Sequence, residues 1–221
     1  MYGLYIPCQE EGKSVADSLE QIALEVTSCT KCPLHRSRVK AVPGEGPANA
    51  QIMFIGEGPG FHENQSGRPF VGAAGNFLDE LLQMINLRRE DVFICNVVKC
   101  RPPGNRDPEP AEIEACREYL ERQIALIDPR VIVTLGRYSM ARWFPSARIS
   151  AIHGKPRQVG RRLIVPMFHP AAALHQPSLR QQVIDDFKNL PQILARASQN
   201  WSDETTSDNP ADDEPQQLSL F

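Results

Sequence analysis

The sequence predicts an α/β fold, a three-layer α/β/α domain with a central four-stranded, mostly parallel sheet. Four short apolar runs indicate the strands: QIMFIG (51–56), VFICNVV (92–98), RVIVTL (130–135) and LIVPMF (163–168). Each run is continuously apolar, as is typical of strands that helices cover on both faces. Helical patterns separate the runs, and this alternation favours an open α/β sheet.

The predicted helices follow in chain order. An N-terminal helix is expected over about residues 15–27 and a C-terminal helix over about 178–195. Between them, AAGNFLDELLQMI (73–85) and PAEIEACREYLERQIALI (110–127) each place apolar residues on one helical stripe. These helices would cover the two faces of the sheet.

The chain of 221 residues fits one domain with an appendage. Residues 197–221 hold six acids and no Lys or Arg, so the overall net charge of -3 leaves residues 1–196 at +3. We therefore predict a folded domain over 1–196 and an acidic disordered tail over 197–221. The mildly basic domain permits a nucleic-acid partner. With no long apolar run and no secretory signal, we expect a cytoplasmic monomer that needs no membrane.

The predicted strands end in loops rich in Gly, Pro and polar residues. The loops are GEGPG, NVVKCRPPGNRDP, GRYSM and HPAAALH. Ligands bind at the carboxyl ends of the strands in such sheets, so we expect these loops to converge on one site. Asn96 ends a buried run, where its amide needs a partner, and His169 ends another directly before Pro170. Glu57, Glu63 and Phe70 lie in or after the first loop. Taken singly, Glu57 is as well explained by helix capping and Phe70 by core packing.

Several common chemistries are excluded by missing residues. Gly56, Gly58 and Gly60 imitate a dinucleotide fingerprint but lack its third glycine, and the P-loop Lys-Ser/Thr pair is absent. The serine elbow and the zinc-protease H-E-x-x-H motif are absent too. A nucleotide cofactor is therefore not expected.

The chain has six cysteines, which in a reducing compartment favour ligands or core residues over disulfides. Cys29 and Cys32 form a C-x-x-C pair, and Cys100 and Cys116 could join them to hold zinc or an iron-sulfur cluster. The spacing does not choose between these metals, and Cys116 also fits an apolar helix stripe. Cys95, within a strand, and Cys8 are predicted non-ligands.

Together, C-x-x-C, GEGPGFHENQSGRPFVGAAG, CNVVKCRPPGNRDP and FHPAAAL occur in the order that is found in the family four uracil-DNA glycosylases. The sequence resembles this family over roughly residues 20–195. The resemblance implies a uracil-DNA glycosylase-like fold and a 4Fe-4S cluster held by Cys29, Cys32, Cys100 and Cys116. It also implies a uracil pocket, whose residues are Glu57, Gly58, Glu63, Phe70, Asn96 and His169. The segment CRPPGNRDPEP lacks the Arg-rich insert of the branch that bonds covalently to DNA, so no covalent link is expected.

The implied activity is removal of uracil from DNA, the first step of base excision repair, with Glu57, Asn96 and His169 as catalytic residues. A non-catalytic iron-sulfur sensor of nucleic acid, tethered to the replication clamp, is the alternative, and a zinc hydrolase of small nucleotides is a weaker one. Arg101 and Arg106 would contact DNA phosphates, although solvated surface charge explains either arginine as well. Leu174 is the candidate wedge that fills the vacated base stack.

The chain ends in QLSLF, which resembles the pentapeptide that binds the bacterial replication sliding clamp. Three apolar residues behind an acidic linker favour a docked terminus, although the tail could also fold back onto the domain. The anchors would be Gln217, Leu218, Leu220 and Phe221. A clamp partner would make this a bacterial, nucleoid-associated protein.

Overall fold

The computed structural model describes residues 17–207 and contains one five-stranded sheet with the order β2-β1-β3-β5-β4. The strands are β1 (Ile52–Gly56), β2 (Phe93–Asn96), β3 (Val131–Leu135), β4 (Arg157–Val159) and β5 (Arg162–Met167). Strands β2, β1, β3 and β5 are parallel, and β4 pairs antiparallel with β5. The predicted α/β class is therefore confirmed, with one more strand than expected.

The helices between the strands are listed here in chain order. They are α1 (Leu19–Ser28), α2 (Phe61–Ser66), α3 (Ala73–Met84), α4 (Pro110–Ile127), α5 (Arg137–Ala141), α6 (Ile149–Ile152), α7 (Pro170–His175), α8 (Arg180–Lys188) and α9 (Leu190–Ser207). Short 3-10 helices occupy Pro33–Arg36, Arg89–Asp91, Pro103–Asn105 and Pro177–Leu179. Within residues 17–207, no helix is long and apolar enough to cross a membrane.

The edge strand β4 carries no apolar signal that sequence reasoning could use. Its three residues are all exposed, and it reaches β5 through Gly160, which has a left-handed φ of 56°. Apolar runs predict strands that are covered by helices, whereas β4 is a solvent-exposed edge. The four-strand prediction missed it for this reason.

Two apolar clusters cover the two faces of the sheet. Alternate residues of β1 point to opposite sides, so Ile52 and Phe54 pack with α3, α8 and α9, while Met53 and Ile55 pack with α1 and α4. All four of these side chains are at most 3% exposed. This double coverage explains the continuous apolar pattern of the strand.

Helix α9 extends past residue 196, where we predicted that the folded domain ends. Ala197 is fully buried in the α3 side of the core, and the ring of Trp201 lies 4.2 Å from the Arg161 guanidinium. The structure therefore continues α9 to Ser207, past the predicted boundary at residue 196. The rest of the predicted tail, with Gln217, Leu218, Leu220 and Phe221, lies outside the described residues.

Candidate active site

One cavity lies at the carboxyl ends of the parallel strands. It has a volume of about 650 Å³ and is reached by residues from β1, α2, β2 and the start of α7. All six of the predicted pocket residues line it, namely Glu57, Gly58, Glu63, Phe70, Asn96 and His169. A second cavity, of about 550 Å³ between α4 and α5, is lined by none of them. The strand ends therefore bring the predicted residues together.

Asn96 carries a buried polar atom that has no partner among residues 17–207. It is the last residue of β2, lies opposite Gly56 in the sheet and is 2% exposed. Its Oδ1 accepts no hydrogen bond from the residues that the structure describes. Buried amide oxygens are normally paired, so this atom is suited to accept a hydrogen bond from a bound ligand. A Cβ at Gly56 would collide with Oδ1 and lie 2.6 Å from the Phe70 ring, so only glycine fits there.

Phe70 forms one wall of the cavity from an unusual backbone conformation. Its φ is 51°, in the left-handed region that costs a non-glycine residue about 1–3 kcal/mol. Arg89 Nη1 donates to the Phe70 carbonyl at 2.9 Å, and Arg89 Nη2 donates to the Pro69 carbonyl. Gly75 leaves space for the same carbonyl, since a Cβ there would overlap it. The turn is thus held by contacts from other elements.

His169 is a neutral hydrogen-bond donor at neutral pH. Its ring stacks on Phe70 with 5.4 Å between ring centroids, and its Nδ1 accepts a hydrogen bond of 3.1 Å from the Ala171 N–H. Because Nδ1 accepts, the ring proton lies on Nε2. Burial lowers the pKa of His169 to about 4, and the nearby Glu63 carboxylate only partly opposes this effect.

Glu57 follows β1 and is held from the neighbouring strand end. Its Oε1 accepts a hydrogen bond of 3.0 Å from the Tyr138 N–H, in the turn between β3 and α5. Gly136 in this turn has a φ of 101°, and a Cβ there would collide with the Glu57 carboxylate. Burial raises the pKa of Glu57 above its ordinary value, and the Tyr138 N–H limits the rise. We predicted the GRYSM loop as a site loop but assigned no residue in it.

Glu63 organises the loops around the cavity. One carboxylate oxygen accepts hydrogen bonds from the N–H groups of Val71 and Gly72, at 2.9 and 3.0 Å. The other oxygen accepts from Gly60 N–H at 3.1 Å. Burial alone would raise the pKa of Glu63, but these backbone donors outweigh it and lower the pKa. Glu63 therefore ties the start of α2 to the start of α3.

A buried lysine supports Asn96 from behind, and sequence reasoning missed it. Lys99 is 1% exposed, and its Nζ donates to the Asn96 carbonyl at 3.0 Å and to Gln123 Oε1 at 2.7 Å. Gln123 Nε2 in turn donates to the Pro43 carbonyl at 2.8 Å. The only signal in the sequence is a lysine that directly follows a buried apolar run.

The four cysteines that we predicted as ligands all lie on the α4 side of the core. Cys100 and Cys116 are buried, while Cys29 and Cys32 are half-buried and pack against the same cluster. Burial raises the pKa of Cys32, Cys100 and Cys116, the last to about 11. No group of three or more His, Cys, Asp or Glu within residues 17–207 is arranged around a single metal ion.

The surroundings of these thiols supply positive and hydrogen-bonding groups. Arg38 donates to Cys100 Sγ at 3.3 Å and to the Cys29 carbonyl at 2.8 Å. The Lys31 N–H donates to Cys29 Sγ at 3.4 Å. Such donors stabilise thiolates, the form in which cysteine binds metals. Cys95 is fully buried within β2, and Cys8 lies outside the described residues.

The residues that we predicted as DNA contacts differ in their partners and in their exposure. The Arg101 Nε donates to Asn105 Oδ1 at 2.7 Å, beside the mouth of the cavity. Arg106 instead pairs with the buried Glu112 at 2.6 Å and with Glu109 at 3.4 Å. Leu174 is 40% exposed on α7, two residues after the cavity-lining Ala172.

Comparisons with known proteins identify the family of the chain. Residues 43–189 match the model of the uracil DNA glycosylase superfamily. A type-4 uracil-DNA glycosylase of Sulfurisphaera tokodaii is 50% identical over 187 residues, 80% of this chain and 85% of the relative. One of Archaeoglobus fulgidus is 46% identical (81% and 95% covered), and one of Thermotoga maritima is 43% identical (80% and 95%).

The family match spans the sheet and the cavity, and together with these relatives it confirms the resemblance that the motifs indicated. The chain therefore belongs to the uracil-DNA glycosylase superfamily and, within it, to the type-4 uracil-DNA glycosylases.

Proposed function

We propose that this protein removes uracil from DNA by hydrolysing the N-glycosidic bond of a flipped-out deoxyuridine, which initiates base excision repair. The observation that carries the proposal is the buried Oδ1 of Asn96, which has no hydrogen-bond partner among residues 17–207 and belongs to a side chain that lines the cavity with Phe70 and His169. The type-4 uracil-DNA glycosylases that resemble the chain support the same activity.

Asn96 identifies the base. Its Oδ1 accepts a hydrogen bond from uracil N3–H, and its amide N–H donates to O4. Cytosine presents a lone pair and an amino donor at these two positions, so both contacts become repulsive. A polar site that is mismatched in this way discriminates by about 10⁴ or more.

Phe70 stacks on the flipped ring. Extrusion of a nucleotide from a duplex costs a few kcal/mol, which contacts in the pocket have to offset. The left-handed backbone at Phe70 is fixed by Arg89 and Gly75 before the base arrives, so the wall needs no reordering. Gly58 leaves room for the base, and Glu63 holds the loop that faces the C5 side, where it would turn away the methyl group of thymine.

His169 stabilises the leaving group. Cleavage of the glycosidic bond leaves negative charge on uracil O2, and the neutral ring donates its Nε2–H to that oxygen. A single preorganised donor of this kind is worth roughly 3 to 4 kcal/mol of transition-state stabilisation. The Ala171 N–H fixes the tautomer that this role requires.

Glu57 positions and activates the attacking water. Its carboxylate accepts a proton from the water and faces the positive charge that develops on the sugar. The Tyr138 N–H, in the turn after the neighbouring strand β3, donates to one carboxylate oxygen and so orients the Glu57 side chain.

We propose a 4Fe-4S cluster held by Cys29, Cys32, Cys100 and Cys116. When bound, it supplies a crosslink between the end of α1, the loop after β2 and the helix α4. The loop with Cys100 also carries Arg101, so the crosslink would stiffen a surface that meets DNA phosphates. Purified protein is expected to be brown, with absorbance near 400 nm that is lost on Cys100→Ser; a zinc site would give a colourless protein.

A uracil-containing oligonucleotide, treated with the protein and then with alkali, tests the activity. Strand breaks are expected at the uracil with the native chain, and at least 100-fold lower rates with Asn96→Ala or His169→Ala, because each removes a contact to the base. Asn76→Ala, an exposed position on α3, is the matched control and keeps the native rate. Normal cutting by the folded Asn96 and His169 variants would refute their roles.

The alternative of a non-catalytic nucleic-acid sensor is not favoured. A sensor has no need for Glu57, Asn96 and His169 to converge, whereas all three line one cavity.

The C-terminal peptide with Gln217, Leu218, Leu220 and Phe221 supports a further partner, the bacterial sliding clamp. We expect a monomeric, nucleoid-associated enzyme that is tethered to the clamp. A labelled QLSLF peptide should bind purified clamp, and Leu220→Ala with Phe221→Ala should abolish binding without change in uracil release. Equal binding by the doubly substituted peptide would remove the clamp from the proposal.

A further inference from the structure

An exposed aromatic ring lies at the mouth of the cavity. Phe61 is the first residue of α2 and is 51% exposed, more than any other Phe, Tyr or Trp among residues 17–207. It lines the same cavity as Asn96 and His169. The mechanism above leaves this ring without a role.

The Phe61 ring has a cationic and an aromatic neighbour. The Arg101 guanidinium lies over it, 5.3 Å from the ring centroid, and Arg101 Nε is held by Asn105 Oδ1 at 2.7 Å. The His62 ring meets Phe61 at 5.5 Å and an interplanar angle of 84°. A cation over an aromatic face fixes the ring, while half of its surface stays open to solvent.

The connectivity of a DNA strand indicates which part of the substrate lies near the Phe61 ring. A uracil that enters the cavity is joined through one phosphate to each neighbouring nucleotide. The base of the next nucleotide and the phosphate between the two nucleotides therefore have to lie near the rim of the cavity. Stacking on an aromatic ring with an arginine nearby for the phosphate is the usual way in which proteins hold single-stranded nucleic acid.

We propose that Phe61 is a stacking platform for the nucleobase adjacent to the extruded uracil, with Arg101 beside the intervening phosphate. This inference rests on the proposed function and deepens it by naming a second base that the enzyme holds. A neighbouring base that stacks on Phe61 has to leave its place in a duplex, so the platform favours single-stranded substrates.

Single-stranded oligonucleotides with one deoxyuridine test the platform. The first has normal neighbours, and two others carry a tetrahydrofuran abasic residue on the 5′ or the 3′ side of the uracil. The native enzyme is expected to lose about 10-fold in kcat/KM on one of the two abasic substrates. In Phe61→Ala, kcat/KM on the normal substrate is expected to be about 10-fold lower than in the native enzyme. On that abasic substrate the variant and the native enzyme should have the same kcat/KM, because the substitution and the missing base remove the same contact.

Two variants serve as controls. Phe61→Trp retains the ring and the native pattern, and Met84→Ala, at a 48% exposed position outside the cavity, changes no rate. The platform is overturned if Phe61→Ala has the native kcat/KM on the normal substrate. It is also overturned if the fall in kcat/KM caused by Phe61→Ala is as large on the abasic substrate as on the normal one.

Binding provides a readout that needs no cleavage. Labelled product oligonucleotides, with an abasic site where uracil stood, should bind Phe61→Ala about 10-fold more weakly than the native chain in fluorescence anisotropy. Failure of the native chain to release uracil would refute the proposed function, whereas equal affinities of the native chain and Phe61→Ala would refute the platform alone.

Discussion

At the scale of single residues, burial shifts the pKa values of two ionisable groups of the site in opposite directions. Burial disfavours the charged form, so it raises the pKa of the Glu57 carboxyl and lowers the pKa of the His169 ring to about 4. Glu57 has to be ionised to accept a proton, and His169 has to be neutral to keep its contact with Ala171. The lowered pKa of His169 keeps its ring neutral at neutral pH, while the raised pKa of Glu57 means that its carboxylate is lost at a higher pH than an ordinary carboxylate would be.

The acid limb of the pH profile should therefore belong to Glu57. As the pH falls, Glu57 gains its proton before His169 does, because burial raises the pKa of Glu57 and lowers that of His169, and kcat/KM declines as Glu57 is protonated. In Glu57→Gln the overall rate is lower, but the acid limb moves down to about pH 4, where His169 becomes protonated. Measurements of kcat/KM between pH 3.5 and 8 for the native chain and for Glu57→Gln give both acid limbs, and an unchanged limb in Glu57→Gln would contradict the assignment.

At the scale of elements, the turn between α2 and α3 is held by a residue from far along the chain. Arg89 is 18% exposed and binds the carbonyls of Pro69 and Phe70, while it also pairs with Glu45 and with Asp79 at 3.1 Å. Glu45 keeps a second partner, Arg68, at 2.8 Å. Arg89 therefore links the Phe70 turn to the carboxylates of Glu45 and Asp79.

Arg89→Met should loosen this turn. We expect a loss of about 2 kcal/mol in the free energy of unfolding, since hydrogen bonds from a charged donor are removed, and a fall of about 10-fold in kcat/KM. Arg88→Met is the matched control, because Arg88 is exposed and pairs only locally with Glu90 and Asp91. Urea denaturation and uracil release measure the two effects, and equal behaviour of the two variants would exclude a role for Arg89 in the turn.

At the scale of the whole molecule, the last described helix belongs to the folded domain. Val183 and Phe187 of α8 and Leu190 and Ala197 of α9 are buried in one cluster with the sheet. Helix α9 continues from this core beyond the position where the composition of the chain turns polar.

Two truncations should separate the helix from the tail. A chain that ends at residue 196 loses Ala197 from the core and the Trp201 contact with Arg161, and its Tm is expected to fall by about 5 °C. A chain that ends at residue 207 keeps both contacts and should melt within about 1 °C of the full protein. Thermal unfolding followed by circular dichroism distinguishes them, and equal Tm values would mean that residues 197–207 add no stability.

The sequence alone determined the four parallel strands, the main helices and the loops of the site. These features follow from local patterns: a strand that is covered on both faces has to be apolar throughout, and Gly-Pro loops have to interrupt it. The motifs around Glu57, Asn96 and His169 are likewise contiguous segments, so they could be read together with the family that carries them.

Tertiary structure alone decided which groups support those residues. Lys99 behind Asn96, Tyr138 on Glu57 and Arg89 under Phe70 act across 3, 81 and 19 residues of sequence, and the two longer separations have no local signature. The edge strand β4 and the helical part of the tail were missed because their stability comes from β5 and the core. Local patterns record what a segment buries, whereas the partner that it meets is set only when the chain folds.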